Sequence, residues 1–231
     1  MPKVCLITGA SRGIGRFLAE SLLERNFLVA GCSRGESSLC RDGYLHCAVD
    51  VTEEKGVVSM VRHVEKKWGG IDVLINNAGV AGMGPMSLIP EPAARKIFLT
   101  NFLGTFLFTR EAGKGMIRKK RGRIVNFTSV AVPFHLEGEA IYASSKSAIE
   151  EFTRISAREL GPFGITVNAL GPGPVQTDLI RGVAEDKIRG VISRQAIRRM
   201  GEMRDILNVV QFFISDQSDF ITGQCLYLGG A

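Results

Sequence analysis

The chain has 231 residues, 45% hydrophobic and 23% charged, with a formal net charge of +6. That length suits one α/β domain with a core that needs no staples, and no apolar run reaches the length of a membrane-spanning helix. Five scattered cysteines (Cys5, Cys32, Cys40, Cys47 and Cys225) form no Cys-x-x-Cys pair, and His46 beside Cys47 lacks further ligands at zinc spacing, so no metal is expected. The odd, dispersed cysteines fit a reducing compartment. With the first strand starting near Lys3, no targeting peptide is expected ahead of it, and a cytoplasmic location follows by default.

Apolar β-rich runs alternate with helical stretches along the whole chain. Strands are expected at Lys3–Thr8, Phe27–Ser33, Tyr44–Val49, Ile71–Asn76, Arg123–Thr128 and Ile165–Leu170. Helices are expected near Ile14–Arg25, Thr52–Trp68, Ala93–Lys119 and Ala140–Leu160, with Thr52 as a capping oxygen ahead of the first-turn acids Glu53 and Glu54. Such βα alternation predicts a single-domain, doubly wound parallel sheet with helices on both faces, a Rossmann fold that binds ligands at the carboxyl ends of its strands. The stretch Gly35–Gly43 breaks the rhythm, because a crossover helix scarcely fits there; a loop or one helical turn is expected.

Between the first strand and first helix lies Thr8-Gly9-Ala10-Ser11-Arg12-Gly13-Ile14-Gly15. Gly9 permits a tight turn, Gly13 lets backbone approach a pyrophosphate, and Gly15 allows close helix–sheet packing. The helix start then offers unpaired N–H groups and partial positive charge to phosphates. A glycine turn alone is a weak signal, and its strand-to-helix context raises it.

With this turn, the chain resembles the short-chain dehydrogenase/reductase family, with 3-oxoacyl-acyl-carrier-protein reductases as the most similar members. The markers run in order through Asp50-Val51, Asn76-Asn77-Ala78-Gly79, Asn101, Ser129, Tyr142-Ala143-Ser144-Ser145-Lys146, and Gly171-Pro172-Gly173 with Thr177. Gly122-Arg123-Ile124-Val125 and Gly164-Ile165-Thr166-Val167-Asn168 are supporting matches. The resemblance implies a cofactor site built from Gly9, Ser11, Arg12, Gly13, Ile14, Gly15, Ser33, Arg34, Asp50, Val51, Asn77, Ala78, Gly79, Tyr142, Lys146, Pro172, Gly173, Val175 and Thr177. It also implies an Asn101-Ser129-Tyr142-Lys146 tetrad and a homotetramer.

Each marker also has a local physical reading. Asp50 can accept from an adenine amino group while Val51 packs on the ring, or the pair can simply end a strand. Enzymes that use NAD usually carry an acid at the end of the second strand; here Ser33 stands in that place and Arg34 follows, able to pair with a 2′-phosphate. NADP(H) is therefore the expected cofactor. Tyr142 and Lys146, four apart, share one helix face, so the ammonium, with the positive oxidised nicotinamide, is expected to favour phenolate and lower the tyrosine pKa. Ser129 is expected to hold the substrate carbonyl toward Tyr142, and the Asn101 amide to bind a water leading to Lys146.

The resemblance thus implies reduction of a ketone, most plausibly a 3-oxoacyl thioester or similar β-keto compound, as in fatty acid biosynthesis. Residues 179–199 are expected to cover the substrate, with Arg189, Arg194, Arg198 and Arg199 either meeting an anion or solvated. The run Arg118, Lys119, Lys120, Arg121, Arg123 reads either as a solvated helix end or, through Lys119, Lys120 and Arg121, as a docking patch for acidic acyl carrier protein. Phe163 replaces the family's second docking cation, which keeps a general carbonyl, quinone or secondary-metabolite ketoreductase in contention. A non-catalytic NADP(H)-binding regulator would be expected to lose the Tyr142–Lys146 pair, and no nucleic-acid motif accompanies the positive charge.

Overall fold

The computed structural model describes residues 2–177 and 180–231. Seven strands are present: β1 (Val4–Thr8), β2 (Leu28–Ser33), β3 (Tyr44–Ala48), β4 (Val73–Asn76), β5 (Gly122–Phe127), β6 (Ile165–Gly171) and β7 (Cys225–Tyr227). They form one parallel sheet in the order β3-β2-β1-β4-β5-β6-β7. The chain begins mid-sheet, winds out to β3, then returns to β4 and winds the other way. That reversal between β1 and β4 opens a crevice above Thr8 and Asn76, where a doubly wound sheet holds its ligand.

Alternating side chains build two cores. Cys5, Ile7, Val29, Ile75, Val125 and Leu170 point to one face, covered by α1 (Gly13–Leu23) and α8 (Met203–Ile214). Val4, Leu6, Ala30, Leu74, Ile124 and Val167 point to the other, under α2 (Glu54–Trp68), α4 (Gly104–Lys119) and α6 (Ala140–Leu160). The remaining helices are α3 (Glu91–Phe98), α5 (Ala131–Phe134) and α7 (Glu185–Arg194).

Four local differences from the sequence expectations have physical causes. The expected helix Ala93–Lys119 is continuous only in outline, because a π-helical turn at Leu99–Leu103 separates α3 from α4. Thr52 does not cap α2: its N–H and hydroxyl both donate to Asp50 Oδ1 (2.9 and 2.8 Å), and Glu53 takes the cap position. No helix was expected after Leu160, yet α8 supplies Ile206, Leu207, Val210, Phe213 and Ile214 to the first core. Their i, i+1, i+4, i+7, i+8 spacing is a helical stripe, and Asp205 accepts from the Glu202 N–H (2.8 Å) at its start. β7 was not among the expected strands, because three residues are too short a run to read as one. Residues 34–43 form the expected loop, and Leu39 is buried in the same core as Leu18, Leu22 and Tyr44.

Candidate active site

The glycine turn is fixed by the crevice beneath it. Gly9 and Gly13 adopt φ of +70° and +56°, the left-handed region that glycine tolerates. A Cβ on Gly9 would lie 2.9 Å from Ala78 Cα, and one on Gly15 would collide with the Gly9 carbonyl. A Cβ on Gly13 would sit in ordinary contact with Thr177 Cβ and Cγ2 at 3.9 Å, so this turn faces the segment that carries Thr177. Asn77 Nδ2 donates to Thr8 O (2.9 Å) and Gly9 O (3.2 Å), while Thr8 Oγ1 accepts from the Asn77 and Ala78 N–H groups (3.0 Å each). Asn77 and Ala78 thereby brace the turn from β4. Arg12 is extended (φ −156°) ahead of α1, whose first turn carries no acid, so its N–H groups and positive end are left for an anion.

At the other end of the crevice, Ser129 follows β5, and Tyr142 and Lys146 lie one turn apart on α6, both buried. Ser129 stands close enough to the Tyr142 phenol to pull its pKa down. Lys146 Nζ donates to Phe127 O (2.8 Å) and lies 5.9 Å from the Tyr142 ring centre. A Cβ on Gly79 would stand 3.3 Å from Asn101 Oδ1 and 3.5 Å from Lys146 Nζ, so Gly79 keeps a cradle open over both side chains.

Asn101 differs from its expected role. Its Oδ1 accepts from Val80 N–H (2.8 Å), and its Nδ2 donates to Val80 O and Ser145 Oγ (3.0 Å each). Both amide hydrogens are thus spent inside the protein, and the side chain pins the π-helical turn to the 79–80 loop and to α6 rather than holding a water. Thr105 Oγ1 locks the same turn by donating to Asn101 O (2.7 Å).

The expected fall in the Tyr142 pKa is also not found in the protein alone. Burial pushes the phenol up to about 12, with Ser129 pulling it partly back and Glu139 adding to the rise. Burial likewise lowers Lys146 to about 8. Desolvation of each group outweighs what the ammonium does for the phenol at this separation.

One residue escaped the sequence reading. Glu150 lies one turn beyond Lys146 and is buried; its Oε1 accepts from Thr128 Oγ1 (2.6 Å) and Tyr227 Oη (2.5 Å). It ties the β5 end, next to Ser129, to β7 and α6. The available signal was an acid at i+4 from Lys146, on a face that had to be buried.

Comparison with known proteins gives this geometry a family. The profile described as short chain dehydrogenase matches residues 3–188. The chain belongs to the short-chain dehydrogenase family. It is 32% identical to the 3-oxoacyl-[acyl-carrier-protein] reductases FabG of Vibrio cholerae and Escherichia coli, over 99% of this chain and 96% of each relative. Identity to FabG of Staphylococcus epidermidis is 33%, covering 100% of this chain and 98% of that one. Among solved structures, ElxO with NADP bound superposes with a TM-score of 0.91 at 28% identity, covering 99% of this chain and 97% of the other. The ligand-free aldohexose dehydrogenase of Thermoplasma acidophilum gives 0.90 at 31% identity, covering 99% and 93%.

Within this short-chain dehydrogenase the crevice continues toward β3. Val51 is buried against Gly104, where a Cβ would lie 2.8 Å from Val51 Cγ2. Asp50 has one carboxylate oxygen committed to Thr52, leaving Oδ2 to accept from a ligand. Ser33 is not simply exposed to a ribose: its hydroxyl donates to Gly35 O (2.7 Å). Arg34 is exposed and has no carboxylate partner among the described residues.

A cleft of about 710 Å³ joins the catalytic end to its cover. Ile14, Gly79, Ser129, Tyr142 and Lys146 line it together with Pro172, Gly173, Val175 and Thr177. From 180–199, Ile180, Val183, Ile188 and Val191 add apolar walls; the expected first residue of that cover, Leu179, lies outside the described residues. Of the four arginines only Arg194 reaches the cleft, donating to Phe134 O and stacking 4.9 Å over the Phe134 ring. Arg189 pairs with Glu185, Arg198 is exposed away from the cleft, and Arg199 forks onto Asp205 (2.7 and 3.0 Å). The basic run is largely neutralised: Arg118 meets Glu65, Lys119 meets Asp72 and Arg121 meets Asp216. Buried Arg123 donates to three carbonyls, and Lys120 is left without an acidic partner among the described residues.

Proposed function

We propose that the chain, as one dinucleotide-binding and catalytic domain over residues 1–231, reduces a ketone to a secondary alcohol with NADPH. The substrate class is a 3-oxoacyl thioester or similar β-keto compound. The observation that carries this reading is the convergence of Ser129, Tyr142 and Lys146 on the floor of an apolar cleft that runs on to the glycine turn. The residues present fit a dinucleotide: the free N–H groups at the start of α1 for a pyrophosphate, the Gly79 cradle, Pro172–Thr177 at the nicotinamide end, and Arg34 with Arg12 at the 2′-phosphate end.

NADPH supplies the hydride when bound. Ser129 donates to the substrate carbonyl and aligns it with Tyr142. Tyr142, a neutral phenol with its pKa raised to about 12, keeps its proton until the carbonyl oxygen gains charge, then donates to the developing alkoxide. Lys146, positioned by Phe127 O and titrating near 8, is charged at neutral pH and returns the proton. Asn101 and Glu150 act behind these groups by fixing the backbone that carries them. The segment from Ile180 to Arg194 covers the substrate and excludes water.

A second reading, reduction of a free small ketone, is favoured by the paired cations. The Lys119–Arg121 run lies at the amino end of β5, and Ser129 beyond its carboxyl end, roughly 20 Å away at strand rise. With Phe163 in the second docking place, one chain presents an acyl carrier protein with little besides Lys120. NADPH oxidation with acetoacetyl thioesters, carrier-bound and free, and with quinones and small diketones separates the two. A kcat/KM that rises on carrier attachment supports the carrier substrate, and turnover of none of the ketones overturns both.

The assembly is proposed to be a homotetramer. Phe102, Phe106 and Phe152 form an edge-to-face cluster between the π-helical turn, α4 and α6, while Phe98, Leu99 and Ile155 remain exposed. Two-fold pairing would bury them in a closed assembly. A stable, active monomer by light scattering would remove this part.

A further inference from the structure

The loop that replaces the crossover helix between β2 and β3 leaves β3 side chains to finish the adenosine end of the crevice. Tyr44 and His46, two apart on β3, point to the same face. The Tyr44 hydroxyl reaches across β2, where a side chain at Gly31 would collide with it. It meets His46 Nδ1 at 3.1 Å, and His46 Nε2 stands 3.1 Å from Ser33 Oγ and 3.0 Å from Gly35 O. A carbonyl only accepts, so Nε2 carries a hydrogen toward Gly35 O, and in the neutral ring Nδ1 is then the acceptor of the Tyr44 hydroxyl. Ser33 donates to the same Gly35 carbonyl (2.7 Å). Two donors thus converge on one carbonyl and close the three-residue turn 33–35, with Arg34 at its apex.

We propose that His46, supported by Tyr44, is a positioning residue for cofactor discrimination: it fixes the Ser33–Gly35 turn so that Arg34 is presented to the 2′-phosphate. The inference rests on the NADPH reading. Gly35 makes no close contact around its Cα, and the next anchors along the loop are Ser38, which accepts from Arg16 Nη1 (2.6 Å), and buried Leu39, so at the apex itself these hydrogen bonds set the turn. An exposed, long arginine on an unfixed turn would lose more conformational freedom on meeting the phosphate.

The test is calorimetric binding of two fragments, 2′,5′-ADP and 5′-AMP, to the full chain. The wild type should bind 2′,5′-ADP more tightly, and His46→Ala should weaken that binding roughly five- to tenfold while leaving 5′-AMP unchanged. His46→Asn, which keeps a donor for Gly35 O, should recover part of the loss. Tyr44→Phe, a change of one hydroxyl, should shift 2′,5′-ADP in the same direction by a smaller factor and serves if His46→Ala does not fold. Equal weakening of both fragments, or an unchanged preference in His46→Ala and Tyr44→Phe, overturns the role of His46. A wild type that binds both fragments equally instead overturns the NADPH reading beneath it.

Discussion

The two ends of the crevice are built in opposite ways. At the catalytic end Asn101, Ser145, Lys146 and Glu150 are all buried, and each of their polar groups is engaged by backbone or by a neighbour from another element. At the adenosine end Arg34, Gly35 and Glu36 are exposed on a short loop, held by a few hydrogen bonds from β3. Buried polar networks are over-determined, and removing one member strands the others. Exposed side chains on a loop can be exchanged at little structural cost. Chemistry is therefore fixed by the fold in this molecule, while the choice of cofactor is written on its surface.

The largest effect tests the first half of that contrast. Tyr142→Phe keeps the buried ring and removes only the hydroxyl proposed as the proton donor. It should lower kcat by at least about a thousandfold, worth about 4 kcal/mol, with NADPH affinity unchanged. Turnover near that of the wild type would show that the buried end does not carry the chemistry. The second half is tested by Ser33→Asp combined with Arg34→Leu. The new carboxylate repels a 2′-phosphate, accepts from free ribose hydroxyls and keeps His46 Nε2–H as a donor. The ratio of kcat/KM for NADPH over NADH should fall by about a hundredfold, with melting temperature little changed. A wild type that prefers NADH would reverse the premise.

Titration sharpens the comparison further. Lys146 is charged below, and neutral above, a pKa lowered to about 8 by burial. Loss of its proton should make kcat/KM for reduction fall about tenfold per pH unit above about 8. A profile flat to about pH 10 would mean that Lys146 takes no part in proton return. The smallest effect concerns Thr52, next to Asp50. Its hydroxyl does not cap α2. Thr52→Ala removes that hydroxyl hydrogen bond and keeps the one from the Thr52 N–H, so it should cost about 1 kcal/mol in chemical denaturation, with the helicity of α2 unchanged.

Much of the adenosine end and every strand of the sheet but β7 were readable from residues in order. The period-2 strands, the glycine turn and the acid missing after β2 are local signals, and local physics decides them. What was not readable lies in contacts between distant segments. The Asn101 amide is consumed by Val80 and Ser145, 21 and 44 residues away, so its type could be recognised and its partners could not. The rise of the Tyr142 pKa depends on burial by segments on either side of α6, whereas the i, i+4 spacing reveals only the lysine. Thr52 shows the converse: a good capping residue was outbid by Asp50, two positions away, because an ionised acceptor attracts the hydroxyl more strongly than it serves the helix end. The α8 stripe was legible in full, and only its position beyond the last marker hid it.

The π-helical turn at 99–103 also sets which length changes the chain can absorb. A π turn carries one residue more than the α-helix it interrupts. Deleting one of its residues restores regular hydrogen bonding and keeps α3 and α4 in phase, whereas a deletion inside α4 rotates the rest of that helix by about 100° and turns Met116 out of the core. The 34–43 loop has the opposite tolerance: ten residues long, on the edge side of the sheet, it has room to accept a whole inserted helix while the β2–β3 register stays in place. A library of one-residue deletions and short insertions across the chain should therefore show a lethal band within 104–116 and a broad permissive one at 36–42.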